Sequence, residues 1–285
     1  MNKKTIKIAY ADFWPEWNQE NFIEPILKKH YNVIIDQQNP DVLFHSIFGE
    51  MKETPKYNCK KVLFIGENYR AQNYNSDYSI SFDQHTPTNF RLPLWQAFIL
   101  LNPEYKEHLF NRVIQPRFDE FCSFTVSNPA NFLRNGMFNQ LRQYKHVQSY
   151  GRYMTNNLGL QTASKGKYWR DAKIVYFIEN AHKFALTPEH SSYPYYCTEK
   201  IMDSFLVGSV PIYWGDPKIK EDWNEKAFIN ANDYGRDVMN AVKKMDIEKE
   251  LFEEMYNEPV FTSVQKSKLE INLEAFETWL LEIIK

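Results

Sequence analysis

Cysteine is scarce in this chain: three residues, Cys59, Cys122 and Cys197, in 285, with no CxxC pair. That excludes a disulfide framework and a zinc ribbon, and it fits a reducing compartment. No uncharged run approaches the length of about 18 residues that a membrane span needs. The N-terminal MNKKTIKIAYADFW has early lysines but no apolar run of signal-peptide length. A cytoplasmic protein with at most peripheral membrane contact is therefore expected. Charge of one sign is lacking too. A net charge of −2 argues against a sequence-independent nucleic-acid binder, so any anion site must be local. No internal repeat and no low-complexity tract occurs, and a hydrophobic content of 43% with 16% aromatics excludes a disordered chain.

What is present is an alternation of strands and helices. IKIAYA (6–11), NVII (32–35), DVLFHSIF (41–48), KVLFIG (61–66) and YSISF (78–82) have the short β-rich runs of strands, and Phe22, Ile23, Ile26 and Leu27 mark one face of a helix. After about residue 115 a second series begins: a strand at FTVSN (124–128), a helix over FLRNGMFNQLRQY (132–144), a strand at HVQSY (146–150), a helix near 164–172 and a strand at KIVYFIEN (173–180). The connection from Asn180 to Thr198 reads as a long loop. This spacing implies parallel sheets in two α/β domains facing a cleft. The expected boundaries are 1–116, 117–267, and a C-terminal helix over 268–285 whose stripe Leu269, Leu273, Phe276, Leu280 and Ile283 packs on the body. Four glutamates on its other face, Glu270, Glu274, Glu277 and Glu282, disfavour docking on anionic lipid.

The stretch YYCTEKIMDSFLVGSVPIYWGDP, Tyr195 to Pro217, is the most informative. Thr198 can cap a helix whose first turn carries Glu199 and Lys200, followed by an apolar middle and the strand VPIYWG. In parallel α/β sheets, ligands sit beyond the carboxyl ends of strands, near helix N-termini. A first-turn lysine opposes the helix dipole and so suggests a held anion, although such a lysine is more commonly just solvated.

This run resembles the donor-site signature of the α1,3/α1,4-fucosyltransferases, glycosyltransferase family 10, especially their bacterial members. IKIAYADFW (6–14), VLFIGEN (62–68), FCSFTVSNPANFLRN (121–135) and VYFIENAHKF (175–184) agree in order, so the resemblance spans most of the chain. It implies a GT-B architecture, two Rossmann-like α/β domains, with an acceptor-side N-terminal domain and a donor-binding C-terminal one. It also implies inverting transfer of L-fucose from GDP-fucose to an oligosaccharide acceptor, in an α1,3 linkage to O3 of N-acetylglucosamine in a lactosamine-type glycan. By motif match, Arg134 and Lys200 fall on the diphosphate positions, Glu199 on the donor-binding glutamate and Glu67 of GEN on the proposed general base. Several bacterial members read GENE where this chain has Tyr69. The C-terminal heptads and basic tail of some members are absent.

The chemistry needs these residue types. GDP leaves readily only if charge developing on its β-phosphate is stabilised, which Arg and Lys do by charge-assisted bonds. Inversion needs a base to take the acceptor proton from the face opposite the diphosphate. Asn180 and Tyr195 complete the expected donor site, Asn180 because it ends a strand and Tyr195 as an aromatic beside TEK, although such an aromatic more commonly packs. His182 reads as a histidine satisfying a surface bond. No cofactor is expected beyond the donor substrate. No metal is expected either, since no D-x-D triplet occurs to hold a metal–diphosphate complex. Two alternatives remain at this stage: a GT-B transferase for another nucleotide sugar, and a non-catalytic glycan-binding protein on the same scaffold.

Overall fold

The computed structural model describes residues 3–285 and divides them into two compact units, one ending at Pro103 and regaining Lys268–Lys285, the other spanning Glu104–Ser267. In the first unit β1 (Thr5–Ala11), α1 (Trp17–Glu20), α2 (Ile23–His30), β2 (Asn32–Ile35), β3 (Val42–His45), β4 (Lys60–Phe64), β5 (Tyr78–Ser81), β6 (Asn89–Arg91) and α3 (Leu94–Leu101) follow in order. The strands form a parallel sheet in the order β2-β1-β3-β4-β5-β6. Ile8, Phe44, Val62, Phe64 and Ile80 come from successive strands of this sheet into one core with Ile23 and Leu27 of α2 and with Phe22 just before it.

The second unit runs α4 (Glu104–Phe110), β7 (Glu120–Phe124), α5 (Phe132–Tyr144), β8 (Val147–Ser149), α6 (Gly159–Ala163), α7 (Trp169–Glu179), β9 (His182–Pro188), α8 (Lys200–Leu206), β10 (Val210–Trp214), β11 (Ile229–Asn230), α9 (Ala231–Tyr234), α10 (Val238–Ile247) and α11 (Lys249–Asn257). Its parallel sheet has the order β11-β10-β9-β7-β8. Phe124 stacks on Phe138 of α5 at 4.7 Å between centroids, which fixes that helix to the sheet. α12 (Ser263–Ile283) closes the chain, and its Phe276, Leu280 and Ile283 lie in the first unit's core. Truncating Phe276, which is fully buried, would cost about 3–5 kcal/mol.

Three sequence expectations change. The division falls before Glu104 rather than after residue 116, because α4 packs on α8, Arg112 donates to the Glu258 carbonyl at 3.1 Å and the Gln115 N–H donates to the Tyr256 hydroxyl at 2.7 Å. The strand expected at 124–128 lies at 120–124, since Phe121, Cys122 and Phe124 are buried whereas Ser127 and Asn128 are exposed. The segment KIVYFIEN is helix. Val175 and Ile178 are 52% and 45% exposed on α7, and these outward-facing apolar residues conceal the helical period and mimic a strand. The strand is instead β9, inside what reads as a loop.

Candidate functional site

Counted within the second unit, its strand order is 2-1-3-4-5, so the order reverses between β7 and β9. Ligands of doubly wound folds bind beyond the carboxyl ends of strands at such a reversal. A pocket lies there, lined by Ser123, Thr125 and Val126 from the end of β7, Leu186 to Pro188 from the end of β9, Phe177 and Lys173 of α7, and Glu199, Lys200, Asp203 and Val207 around α8.

The residue that follows β9 is Glu189, fully buried. Its carboxylate accepts from the Thr198 N–H at 2.7 Å, from the Thr198 hydroxyl at 2.8 Å and from the Lys200 ammonium at 3.0 Å. Burial pushes the Glu189 carboxyl pKa up, with Lys200 and Thr198 pulling it back. A Cβ at Gly215 would fall 2.5 Å from Glu189 Cγ, so only glycine there lets the carboxylate tuck in. Thr198 is therefore not the helix cap. Glu199 occupies the cap position with no side-chain bond to the helix, and the Thr198 hydroxyl turns to Glu189 instead.

Arg134, from α5, lies within electrostatic reach of the same anion without bonding to it. Asn131 caps this helix, its side-chain oxygen accepting the Arg134 N–H at 2.9 Å, as asparagine at a helix start favours. The Arg134 side chain is buried, donates through Nη2 to the Asn128 carbonyl and keeps an unbonded Nε. Burial pushes its pKa down while Glu189 holds it up.

A second charge cluster supports Glu199. Asp203 takes both arms of Arg170, Nη1 at 3.1 Å and Nη2 at 2.5 Å, and also the Lys173 ammonium. The Glu199 carboxyl is pushed up by burial, but Lys200, Lys173 and Arg170 outweigh that and leave its pKa lowered to about 2. It is thus a committed acceptor at neutral pH. Tyr195 lies in the connecting segment with φ 68, a strained conformation for a bulky residue, held by its N–H on Asp216 Oδ1 at 2.6 Å.

In the first unit Glu67 is exposed on the turn after β4. The turn is stapled by Arg70, which donates to Asn68 Oδ1 and to Asp83 Oδ1, each at 2.6 Å, and lies 4.2 Å above the Phe82 ring. Tyr69, at the position of the second carboxylate of GENE, is 55% exposed. Another carboxylate of this unit, Asp12 after β1, accepts the Thr54 N–H at 2.7 Å and the Thr54 hydroxyl at 2.6 Å.

Two family models cover most of the chain: the alpha-(1,3)-fucosyltransferase FucT N-terminal domain matches residues 8–98, and the glycosyltransferase family 10 (fucosyltransferase) C-terminal domain matches residues 116–274. The chain belongs to glycosyltransferase family 10. An alpha-(1,3)-fucosyltransferase of Helicobacter pylori is 26% identical over 94% of this family 10 chain, which spans 63% of that protein's length. The GDP-fucose protein O-fucosyltransferase 3 of Homo sapiens is 28% identical over 47% of the chain, and 30% of its own length is covered. A crystal structure of an α1,3-fucosyltransferase with GDP-fucose has the same fold, with a TM-score of 0.74 at 21% identity over 98% of this chain and 91% of that one. The two parallel-sheet α/β units are thus those of the GT-B class.

Of the site residues expected from sequence, the second unit brings Arg134, Glu199 and Lys200 together around Glu189, with Tyr195 in the adjoining segment. Asn180 does not join them. It caps the C-terminus of α7, its side chain donating to the Tyr176 carbonyl at 2.8 Å, and it precedes β9, whereas the pocket lies beyond that strand's other end. His182, expected at the surface, is buried, with Nδ1 2.7 Å from the Asn180 carbonyl and Nε2 3.1 Å from the Tyr150 hydroxyl. Glu189, Asp203, Arg170 and Lys173 were not anticipated. The signal was there in the i, i+3 pair Arg170 and Lys173 and the i, i+4 pair Glu199 and Asp203, once 169–179 is read as helix. Among the described residues no helix is long and apolar enough to cross a membrane.

Proposed function

We propose that this family 10 chain transfers L-fucose from GDP-fucose to a hydroxyl of an oligosaccharide acceptor with inversion, the acceptor position being O3 of N-acetylglucosamine in a lactosamine-type glycan. The observation that carries the reading is the convergence of Arg134, Lys200 and Glu199 at the chain reversal of the second unit, within the stretch that matches the fucosyltransferase C-terminal domain. Arg134 holds a buried guanidinium with an unbonded Nε, the state expected of a cation awaiting an anion. Lys200 is held by Glu189 and by the Thr198 hydroxyl, and it lines the pocket.

In this mechanism Arg134 offers a planar fork and Lys200 a point charge to the diphosphate. Both strengthen as the β-phosphate gains charge during cleavage of the anomeric C–O bond. With that charge neutralised by side chains, the reaction is expected to run without a divalent cation. Glu199, kept ionised by its three cationic neighbours, accepts hydroxyls of the donor's ribose or sugar. Glu67, an exposed carboxylate on a stapled turn, takes the acceptor proton as the hydroxyl oxygen bonds to the anomeric carbon. Tyr195 adjoins the donor.

The test is transfer itself. GDP-fucose and N-acetyllactosamine are expected to yield a fucosylated trisaccharide and GDP in the presence of chelator. No product with any neutral glycan, or activity restored only by magnesium or manganese, would overturn the reading.

A further inference from the structure

We propose that a recess beside β1 in the first unit is a saccharide subsite, binding neutral sugar residues of the acceptor remote from the one that receives fucose. The recess, of about 520 Å³, is walled by residues 37–40, Glu53 and residues 56–59. It exists because β2 stops early: Ile35 pairs with Ile8, whereas β1 runs on to Ala11. Tyr57 and Cys59 pack over Ala9, Ala11 and Leu43, which places the wall against β1 and β3.

The lining chemistry selects the ligand class. Gln37, Gln38, Asn39 and Asn58 contribute amides, and Tyr57 a ring whose hydroxyl donates to Gln37 Oε1 at 2.9 Å. The charges in the wall, Glu53 and Lys56, pair with each other at 2.7 Å and cancel. An amide presents a donor and an acceptor side by side, matching adjacent hydroxyls, and a tyrosine ring packs on the C–H face of a pyranose. A phosphorylated ligand would need uncompensated cations and a lipid an apolar wall. Neither is provided here.

The backbone supports a binding role independently. Asp12, Glu50 and Met51 have φ of 55, 59 and 53, three of the five left-handed non-glycine residues among those described. Such strain collects at functional sites. It is held by Asp12, whose carboxylate takes the N–H groups of Glu53 and Thr54 at 3.2 and 2.7 Å, fixing the start of the segment that walls the recess. In the strand order β2-β1-β3-β4, the strand β1 beside the recess lies two strand spacings from β4, after which Glu67 stands, on the order of 10 Å across the sheet. That separation exceeds one sugar ring, so the subsite would engage extended acceptors.

The subsite rests on the fucosyl-transfer reading for its catalytic readout, so the test has a second readout without turnover. kcat/KM is measured for N-acetyllactosamine and for a linear hexasaccharide of three such units, in wild type, Tyr57→Ala and the double variant Gln38→Ala/Asn58→Ala. The ratio of hexasaccharide to disaccharide is expected to fall about five- to thirtyfold in the variants, as loss of one or two hydrogen bonds gives. Tyr57 also packs on Ala9 and Leu43, so the exposed pair Gln38 and Asn58 carries the test if Tyr57→Ala does not fold. A ratio equal to that of wild type in the double variant overturns the proposal. In saturation-transfer NMR with the hexasaccharide alone, wild type is expected to contact it and the double variant to lose most of that contact. Equal contact in both, or none in wild type, overturns the subsite. Loss of contact in a chain that does not use GDP-fucose keeps the subsite and removes the proposed reaction.

Discussion

The two units share a strand order and use it in opposite ways. At the reversal point of the second unit, buried charges brace one another and leave an open pocket edged by cations. At the corresponding point of the first, between β1 and β3, the Asp12 carboxylate is taken up by Glu53 and Thr54 of its own chain, and the chemically interesting carboxylate, Glu67, stands exposed two strands away. The lesson is that the fold supplies positions while the side chains decide what each position does. A rigid, charge-lined pocket suits a nucleotide sugar of fixed structure. An exposed turn suits a partner that varies.

The largest expected effect separates the two roles. Glu67→Gln keeps the side chain's shape but cannot take a proton, so the chemical step should slow by about 10²–10⁴ while GDP affinity by calorimetry holds. Turnover near the wild-type rate would remove Glu67 as base, and lost GDP affinity would break the division of labour between the units.

Next comes the bracing of the second unit. Asp203→Asn removes the carboxylate that bonds both Arg170 and Lys173, and breaking a buried pair in this way costs about 3–5 kcal/mol. Urea unfolding measures it, and a loss under 1 kcal/mol would mean that the cluster is not structural.

Acid should also weaken the second unit through His182, whose pKa burial has lowered to about 4 from 6.5. A histidine lowered on folding contributes stability that is full above its unfolded pKa and is lost as pH falls toward the folded value. From pH 6.5 to 4 the loss is roughly 3 kcal/mol. Glu189 works the other way, since its raised pKa makes protonation favour the fold. Comparing the pH slope of stability in His182→Gln with wild type isolates the histidine, and equal slopes would contradict its burial as the neutral form.

The smallest effect is expected in the first unit. Arg70→Ala frees the Glu67 turn from Asp83 and Asn68, and kcat should fall about three- to tenfold with little change in stability or GDP affinity, the size of one ordinary hydrogen bond. A drop equal to that of Glu67→Gln would make Arg70 more than a staple.

Much of this was legible in the sequence because the strands of both sheets are short apolar runs and because TEK and GEN sit where strands give way to turns or helices. What misled was α7: Val175 and Ile178 are apolar on its outward face, so local pattern favoured a strand, and the true strand was hidden in HKFALTP, where a lysine and a proline interrupt the apolar run. That one shift moved Asn180 into the site and Glu189 out of it. The Asp203 cluster was illegible for a related reason. Its members come from two helices about thirty residues apart in sequence, and only packing brings them together.

The most direct test of the donor site is calorimetry of GDP against UDP on wild type and Arg134→Ala. Arg134 is the better probe, because removing Lys200 also strips buried Glu189 of its cation. GDP is expected to bind wild type and stabilise it by about 2.7 kcal/mol at a hundred times its dissociation constant. UDP is expected to bind distinctly more weakly, and Arg134→Ala to lose about 1.5–3 kcal/mol of GDP affinity. GDP binding that is absent, matched by UDP, or undiminished in Arg134→Ala would contradict a guanine-nucleotide diphosphate site at the reversal of the second sheet.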